Sequence, residues 1–228
     1  MNKQTENLTK SPLYEAKYGA KEDAKTTAFY LIVMIVIFAV LFFRAYWVSS
    51  FEGVIVSGNS MRNTLYSGEQ LLMRKTDGSD AERGDVIVVY VGGYAEFNDG
   101  GDTQYLIKRL IAIEGDRVRC EDGAVEICYA GTDVWETLDE PYAYYTNSAE
   151  YDFAEYTVGE GEVFFLGDNR NHSQDSRYQE GFSRLDRLYK RSDIVGIVPQ
   201  WAIERQALLE KIFFNRVGCF GANKQTEK

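Results

Sequence analysis

The chain has 228 residues, with 25 Lys and Arg against 35 Asp and Glu, and a net charge of -10. That balance argues against nucleic-acid binding, which needs a basic face. Three Cys make no disulfide scaffold, and the one His makes a His/Cys zinc site hard to build and leaves His172 as the sole candidate for a Ser-His-Asp triad. A hydrophobic fraction of 45% and a charged fraction of 26% are those of a globular protein large enough for one or two domains.

Residues 1–27 hold five Lys and four acids and read as a cytoplasmic tail. Ala28 to Val48 then gives 21 residues interrupted only by Arg44. At about 1.5 Å rise per residue, some 20 residues cross a ~30 Å hydrocarbon core. Arg44 lies near one end, where its stem can snorkel, and Tyr46 and Trp47 suit the interface. No polar stripe marks the run as a surface helix of a soluble protein. A cleaved signal peptide fits less well: its apolar region is shorter and ends at a small-x-small site, and no Ala-x-Ala follows here. The segment is expected to be an uncleaved anchor at 28–48.

Beyond it the chain reads as β-rich. Strands are expected at 51–56, 70–74, 85–91, 105–113, 117–120, 125–129, 163–166 and 194–198, each rich in Val, Ile, Leu or aromatics and bounded by turn residues. Asp122-Gly123 marks a hairpin. A two-residue turn there pairs position 120 with 125 rather than 128, which counts against a Cys120–Cys128 disulfide. Residues 121–162 carry 12 acids, no Lys or Arg, and six Tyr; composition alone reads them as a solvated, loop-rich insertion. The stretch 201–214 is expected to form a terminal helix, with the tail running on to 228.

Four segments carry candidate chemistry. Ser60 follows Gly58-Asn59 at a strand end, the place of an exposed turn serine or of a nucleophile. In strand 105–113, Leu106, Lys108, Leu110 and Ala112 share a face and Arg109 opposes them. Lys108 is thus the one charge on an apolar face. Burial there would lower its pKa toward that of a usable general base; the other reading is a lysine whose stem packs while its head reaches water. Gly167 to Arg177 (GDNRNHSQDSR) is dense in hydrogen-bonding side chains. Arg83-Gly84-Asp85 reads as the turn into strand 85–91, or, taken alone, as an adhesion tripeptide.

Taken together these segments resemble a bacterial type I signal peptidase (leader peptidase) of the Ser–Lys kind. The resemblance rests on the anchor, Ser-Met-x-x-Thr-Leu at 60–65, Arg-Gly-Asp-Val at 83–86, Lys-Arg and Gly-Asp within 108–116, and the 167–177 run. It implies Ser60 as nucleophile and Lys108 as general base, with Ser173 hydrogen-bonded to the lysine amine. It implies that Asp168 pairs with Arg109 and Asp175 with Arg177, and that Gly58, Asn59 and Met61 surround the substrate carbonyl and oxyanion. No metal or cofactor is implied, and His172 is a loop residue. Asn63 stands where the family usually has Pro, which would loosen the turn after Ser60. Gly58 stands where some members place a Ser whose hydroxyl serves the oxyanion.

The fold expected is mostly β: an N-terminal transmembrane helix, then an antiparallel β-sheet catalytic domain (49–120 and 163–200) with a smaller β-rich insertion or cap at 121–162, and a C-terminal helix and tail at 201–228. The implied partners are signal-peptide-bearing preproteins, the lipid bilayer and the secretion translocon. The implied location is the cell membrane, crossed once, with the N-terminus cytoplasmic and the catalytic domain extracellular. The competing readings are a self-cleaving Ser–Lys protease of the repressor type, disfavoured by the anchor and the acidity, and a surface-anchored, non-catalytic β-rich binding protein.

Overall fold

The structure is a computed structural model and describes residues 20–92, 105–147, 151–177, 189–209 and 211. The chain divides into two compact units, Met1–Ser50 and Phe51–Lys228.

Among the described residues, the first unit contains one helix, α1 (Ala20–Ser50). Asp23–Ser50 is long and apolar enough to cross a bilayer. Its Phe, Ile, Leu and Val side chains are exposed on every side, whereas a helix of a soluble protein buries one stripe.

The second unit is built of antiparallel strands: β1 (Phe51–Ile55), β2 (Gln70–Lys75), β3 (Val86–Tyr90), β4 (Tyr105–Ile113), β5 (Arg117–Glu121), β6 (Ala124–Cys128), β7 (Trp135–Thr137), β8 (Phe153–Thr157), β9 (Val163–Leu166) and β10 (Ile194–Val198). Six of them form one sheet in the order β1-β2-β10-β3-β4-β9, and four form another in the order β7-β6-β5-β8. The eight strands expected from the sequence are present, within one residue at each end. β7 and β8 were not expected. The stretch read from composition as a solvated loop instead contributes three of the four strands of the second sheet, together with buried Tyr151. β5 belongs to that sheet as well, so the sheet begins at 117 rather than at 121.

Two cores sit on opposite faces of β4 and β9. Ile87, Val89, Leu110, Val163, Phe165, Ile194 and Ile197 fill one. Ile111, Ala112, Phe164 and Leu166 pack with Val118, Val125 and Ile127 of the second sheet in the other. All four residues of β9 are buried for this reason, alternate ones feeding each core. Each contributes on the order of 1.5–3 kcal/mol of apolar burial.

The register of β4 against β9 slips between Leu110 and Ala112. This bulge at Ile111 corrects the expected face of Ala112: it turns toward the second core, and Ile113 returns to the first. Alternation holds before the bulge, so Lys108 and Arg109 still lie on opposite faces.

The Asp122-Gly123 turn has φ of 51° and 77°, the left-handed pair a two-residue hairpin needs. Cys120 pairs with Val125, and Cys128 with Arg117. Both thiols are free and buried, so no bridge joins them. The expected terminal helix is two short pieces, α2 (Gln200–Glu204) and α3 (Gln206–Leu209). The break at Arg205 corrects the reading of 201–214 as one element; of the remainder, all but 211 lies outside the described residues.

Candidate active site

The chain leaves β1 through Val56 and turns at Gly58, whose φ of +86° suits a residue without a side chain. Ser60 follows, then a tight turn closed by the N–H groups of Thr64 and Leu65, both donating to the Met61 carbonyl at 2.9 and 2.8 Å. Met61 and Leu65 are buried beneath it. The Thr64 hydroxyl donates to Asp168. These anchors close the turn around Asn63.

β4 brings Lys108 up against this turn. Its Nζ lies 2.8 Å from Ser60 Oγ and 3.1 Å from the Ile107 carbonyl. The residue is only 2% exposed, so the lysine head does not escape to water. Burial pulls the amine down to about 8, against a smaller upward pull from the Asp175 and Asp168 charges. An amine so placed is neutral in a useful fraction of molecules near neutral pH, and it touches a hydroxyl.

The segment after β9 wraps this pair. Asp168 accepts from Arg109 Nε and Nη2 at 2.9 and 2.7 Å, a buried two-point pair. Arg109 also reaches the Gly84 carbonyl at 2.8 Å and stacks on Tyr142, 3.8 Å from its ring centre. Asp175 pairs with Arg177 at 2.7 Å and accepts from the Gly167 N–H. Gly167 has no room for a side chain: a Cβ there would fall 2.1 Å from Ser173 Oγ and 2.6 Å from the Ser60 carbonyl oxygen. His172 is exposed on a 3-10 turn, away from any nucleophile-and-base geometry.

One implied contact is absent. Ser173 Oγ is buried but makes no hydrogen bond, so the bond from Ser173 to the Lys108 amine is not formed. The amine spends its donors on Ser60 and on the Ile107 carbonyl instead.

The sequence reading missed four residues. Asn169 donates its N–H to the Ser60 carbonyl at 2.9 Å and its side-chain amide to the Asn59 carbonyl at 3.0 Å, clamping the serine turn. Arg170 is fully buried and pairs with Glu140, its Nη1 2.8 Å from Oε2, with Tyr145 Oη at 3.0 Å. Glu140 and Tyr145 come from the acidic, Tyr-rich stretch. Its excess of acids over bases was the available signal, since a buried Arg elsewhere needs such a partner.

Arg83-Gly84-Asp85 is spoken for internally. Arg83 forms a two-point pair with buried Asp116 at 2.7 and 2.8 Å, and Asp85 caps the Glu82 N–H. Burial alone would raise the Asp116 carboxyl, but Arg83 and the N–H groups of Ile113 and Ala130 hold it below the usual carboxylate range. An adhesion tripeptide needs both charges free, so that reading is set aside.

A cleft of about 840 Å³ opens beside Ser60 and Lys108. β1 and the start of β4 wall it, and Met73, Val88 and Val195 lie between. Among the described residues, no group of His, Cys, Asp and Glu could hold a metal ion.

A family model described as "Signal peptidase, peptidase S26" matches residues 26–202. A signal peptidase I of Bacillus licheniformis is 31% identical over 174 residues, 72% of this chain and 84% of that one. Signal peptidase I T of Bacillus subtilis (strain 168) is 31% identical over 157 residues, 64% of this chain and 73% of that one. A solved signal peptidase I from Enterococcus faecalis V583 is 26% identical, covering 53% of this chain and 98% of its own, with a TM-score of 0.36. A match that spans the apolar helix, the serine turn, the lysine strand and the 167–177 segment places this chain in the signal peptidase family, peptidase S26.

Proposed function

We propose that this protein is a membrane-anchored endopeptidase that removes signal peptides from exported preproteins, with Ser60 as nucleophile and Lys108 as general base. The observation that carries the reading is a lysine amine deprived of water and held 2.8 Å from a serine hydroxyl beside an open cleft.

Neutral Lys108 takes the Ser60 hydroxyl proton as Oγ bonds to the scissile carbonyl carbon. The tetrahedral oxyanion is met by the Ser60 N–H, which donates to no other group among the described residues. The C–N bond breaks, the leaving amine takes the proton from Lys108, and an ester joins the signal peptide to Ser60. A water then gives its proton to Lys108 and attacks the ester, and Ser60 recovers its hydrogen. Gly58 supplies no second hydroxyl to the oxyanion, so that stabilisation rests on the backbone and on its neighbours Asn59 and Met61. Asp168, Arg109, Asp175 and Arg177 hold the surrounding segment and leave the chemistry to the dyad; Ser173 packs against Gly167.

The substrate lies extended in the cleft beside the first residues of β4, whose pairing with β9 begins only at Arg109. Five Lys precede the apolar run, so the N-terminus is cytoplasmic and the β unit lies on the outer face of the membrane. Tethering confines the dyad to the bilayer surface, where preproteins emerge from the translocon, and raises the effective concentration of substrate.

The test is cleavage of a secreted preprotein by the purified full chain in detergent. Cleavage is expected from the wild type and from neither Ser60→Ala nor Lys108→Ala. Undiminished cleavage by either variant refutes the dyad, and no cleavage by the wild type refutes the peptidase.

A further inference from the structure

The ten residues after β7 run across the start of the 167–177 segment and hold it at Asp168, Arg170 and Asn171. Tyr142 stacks on Arg109. The Tyr144 N–H donates to the Asp168 carbonyl at 2.7 Å, and its carbonyl accepts from Arg170 N–H at 2.9 Å. Tyr145 Oη and the Glu140 carboxylate both accept from the Arg170 guanidinium. Asn171 Oδ1 takes the N–H groups of Thr146 and Asn147 at 2.9 and 3.1 Å. Between Asp168 and Arg170 sits Asn169, whose two bonds reach the carbonyls of Ser60 and Asn59.

Residues 140–147 therefore reach the Ser60 turn through Asn169, which bonds the Ser60 carbonyl, and through Asp168, which accepts from both Thr64 and the Tyr144 N–H. Asn169 is fixed on both sides by Tyr144, and Arg170 beside it is fixed by Glu140. The Glu140 side chain is itself 7% exposed, and it pairs with an arginine that is fully buried. A buried guanidinium without its carboxylate does not keep its place. Its displacement would carry Asn169, and with it the serine carbonyl whose own side chain must stay in contact with the lysine.

We propose that Glu140 is a positioning residue for the cleavage reaction, acting through Arg170 and Asn169 to hold Ser60 against Lys108, and that residues 140–147 are a strap for the active site. The proposal rests on the Ser60–Lys108 reading above. Displacing reacting groups by about 1 Å costs on the order of a hundredfold in rate. The strap does not line the cleft, so its loss falls on turnover and leaves substrate affinity in place.

The experiment is steady-state cleavage of a preprotein by full-length variants in detergent, with active sites counted by the burst of acyl-enzyme. Glu140→Gln is expected to lower kcat at least tenfold with KM within twofold. Asn169→Ala is expected to do the same, and the double variant to be no slower than the slower single, because both remove one support. Tyr145→Phe deletes a single hydroxyl and is expected to lower kcat less, in the same sense; it carries the test if Glu140→Gln does not fold. Full kcat per active site in Glu140→Gln, or in Tyr145→Phe where that variant stands in for it, overturns the proposal, as do losses that multiply in the double variant. A merely structural Glu140 would lower the unfolding temperature and leave kcat per active site alone. Ser60→Ala separates the two readings: if it still cleaves, the dyad fails; if it is dead while Glu140→Gln turns over normally, only the strap fails.

Discussion

Lys108→Met tests the central physical requirement through stability rather than activity. Burial takes the lysine from 10.5 to about 8, and one unit is worth about 1.36 kcal/mol, so holding the ammonium in this site costs about 3 kcal/mol. Between pH about 8 and 10.5 the unfolded chain keeps a proton on this lysine that the folded chain has released. Wild-type stability therefore gains from Lys108 as pH rises through that window, and the full cost stands below pH 8. Met has no charge to desolvate and a similar length. Its stability advantage over wild type should accordingly shrink by about 3 kcal/mol between pH 7 and 10.5. Groups that shift the other way, such as the Cys120 thiol that burial pushes up to about 12, are common to both proteins and cancel in the difference. The assay is denaturant unfolding of the full chains in one detergent, followed by the fluorescence of Trp135 and Trp201 at several pH values. A difference between the two proteins that stays constant within about 1 kcal/mol over this range would show that the amine is already hydrated in the folded state, and the argument for a neutral base would fall.

The same amine sets a rate profile: kcat/KM should climb with pH to a plateau, half-maximal near 8 and about tenfold below plateau at pH 7, as measured on a peptide substrate whose own groups do not titrate there. Asp168→Ala leaves Arg109 buried without its carboxylate and should cost about 3–5 kcal/mol in a denaturant titration, with Asp168→Glu recovering part of it. Gly167→Ala puts a carbon where Ser173 and the Ser60 carbonyl already sit. It should destabilise by about 1–3 kcal/mol and abolish turnover, and the companion Gly167→Ala/Ser173→Gly should restore part of the stability by removing the nearest atoms.

Much of the first sheet was legible because its strands obey simple rules. Short β-branched and aromatic runs lie between turn residues, and alternation in 105–110 singles out a lysine on an apolar face. Alternation failed at Ala112 because a bulge adds one residue, and no local property of Ile111 announces it. The second sheet was harder for a different reason. β7 is three residues and β8 carries an acid at its centre, so neither looks buried, and much of each is exposed. Reading residues 121–162 for charge alone sent them to solvent. Their acids and tyrosines are in fact divided between surface positions and the buried partners of Arg170 and Arg177, which lie far along the chain. The Asn169 clamp was invisible for a related reason: it binds two backbone carbonyls, and backbone carries no sequence signature.

The bulge at Ile111 bears on how one strand can serve both as core and as active site. Before it, β4 gives Lys108 to the Ser60 side and Arg109 to the Asp168 side; after it, the phase reverses, and Ala112 and Ile113 fill the two cores in the opposite order. Without the bulge, strict alternation through Ile111 would swap their places. Ile113 would then crowd a second core that now accommodates Ala112, and that core holds the second sheet from which the strap departs. The packing behind the site is thus set by one irregularity three residues beyond Lys108, while Lys108 itself follows plain alternation. Deleting Ile111 would straighten the strand without re-phasing it: Ala112 would keep the second core and Ile113 the first, and the second core would lose one buried Ile side chain. The expected result in a denaturant titration is a partial loss of stability, on the order of 2–5 kcal/mol for one large buried side chain, with the Lys108 environment kept.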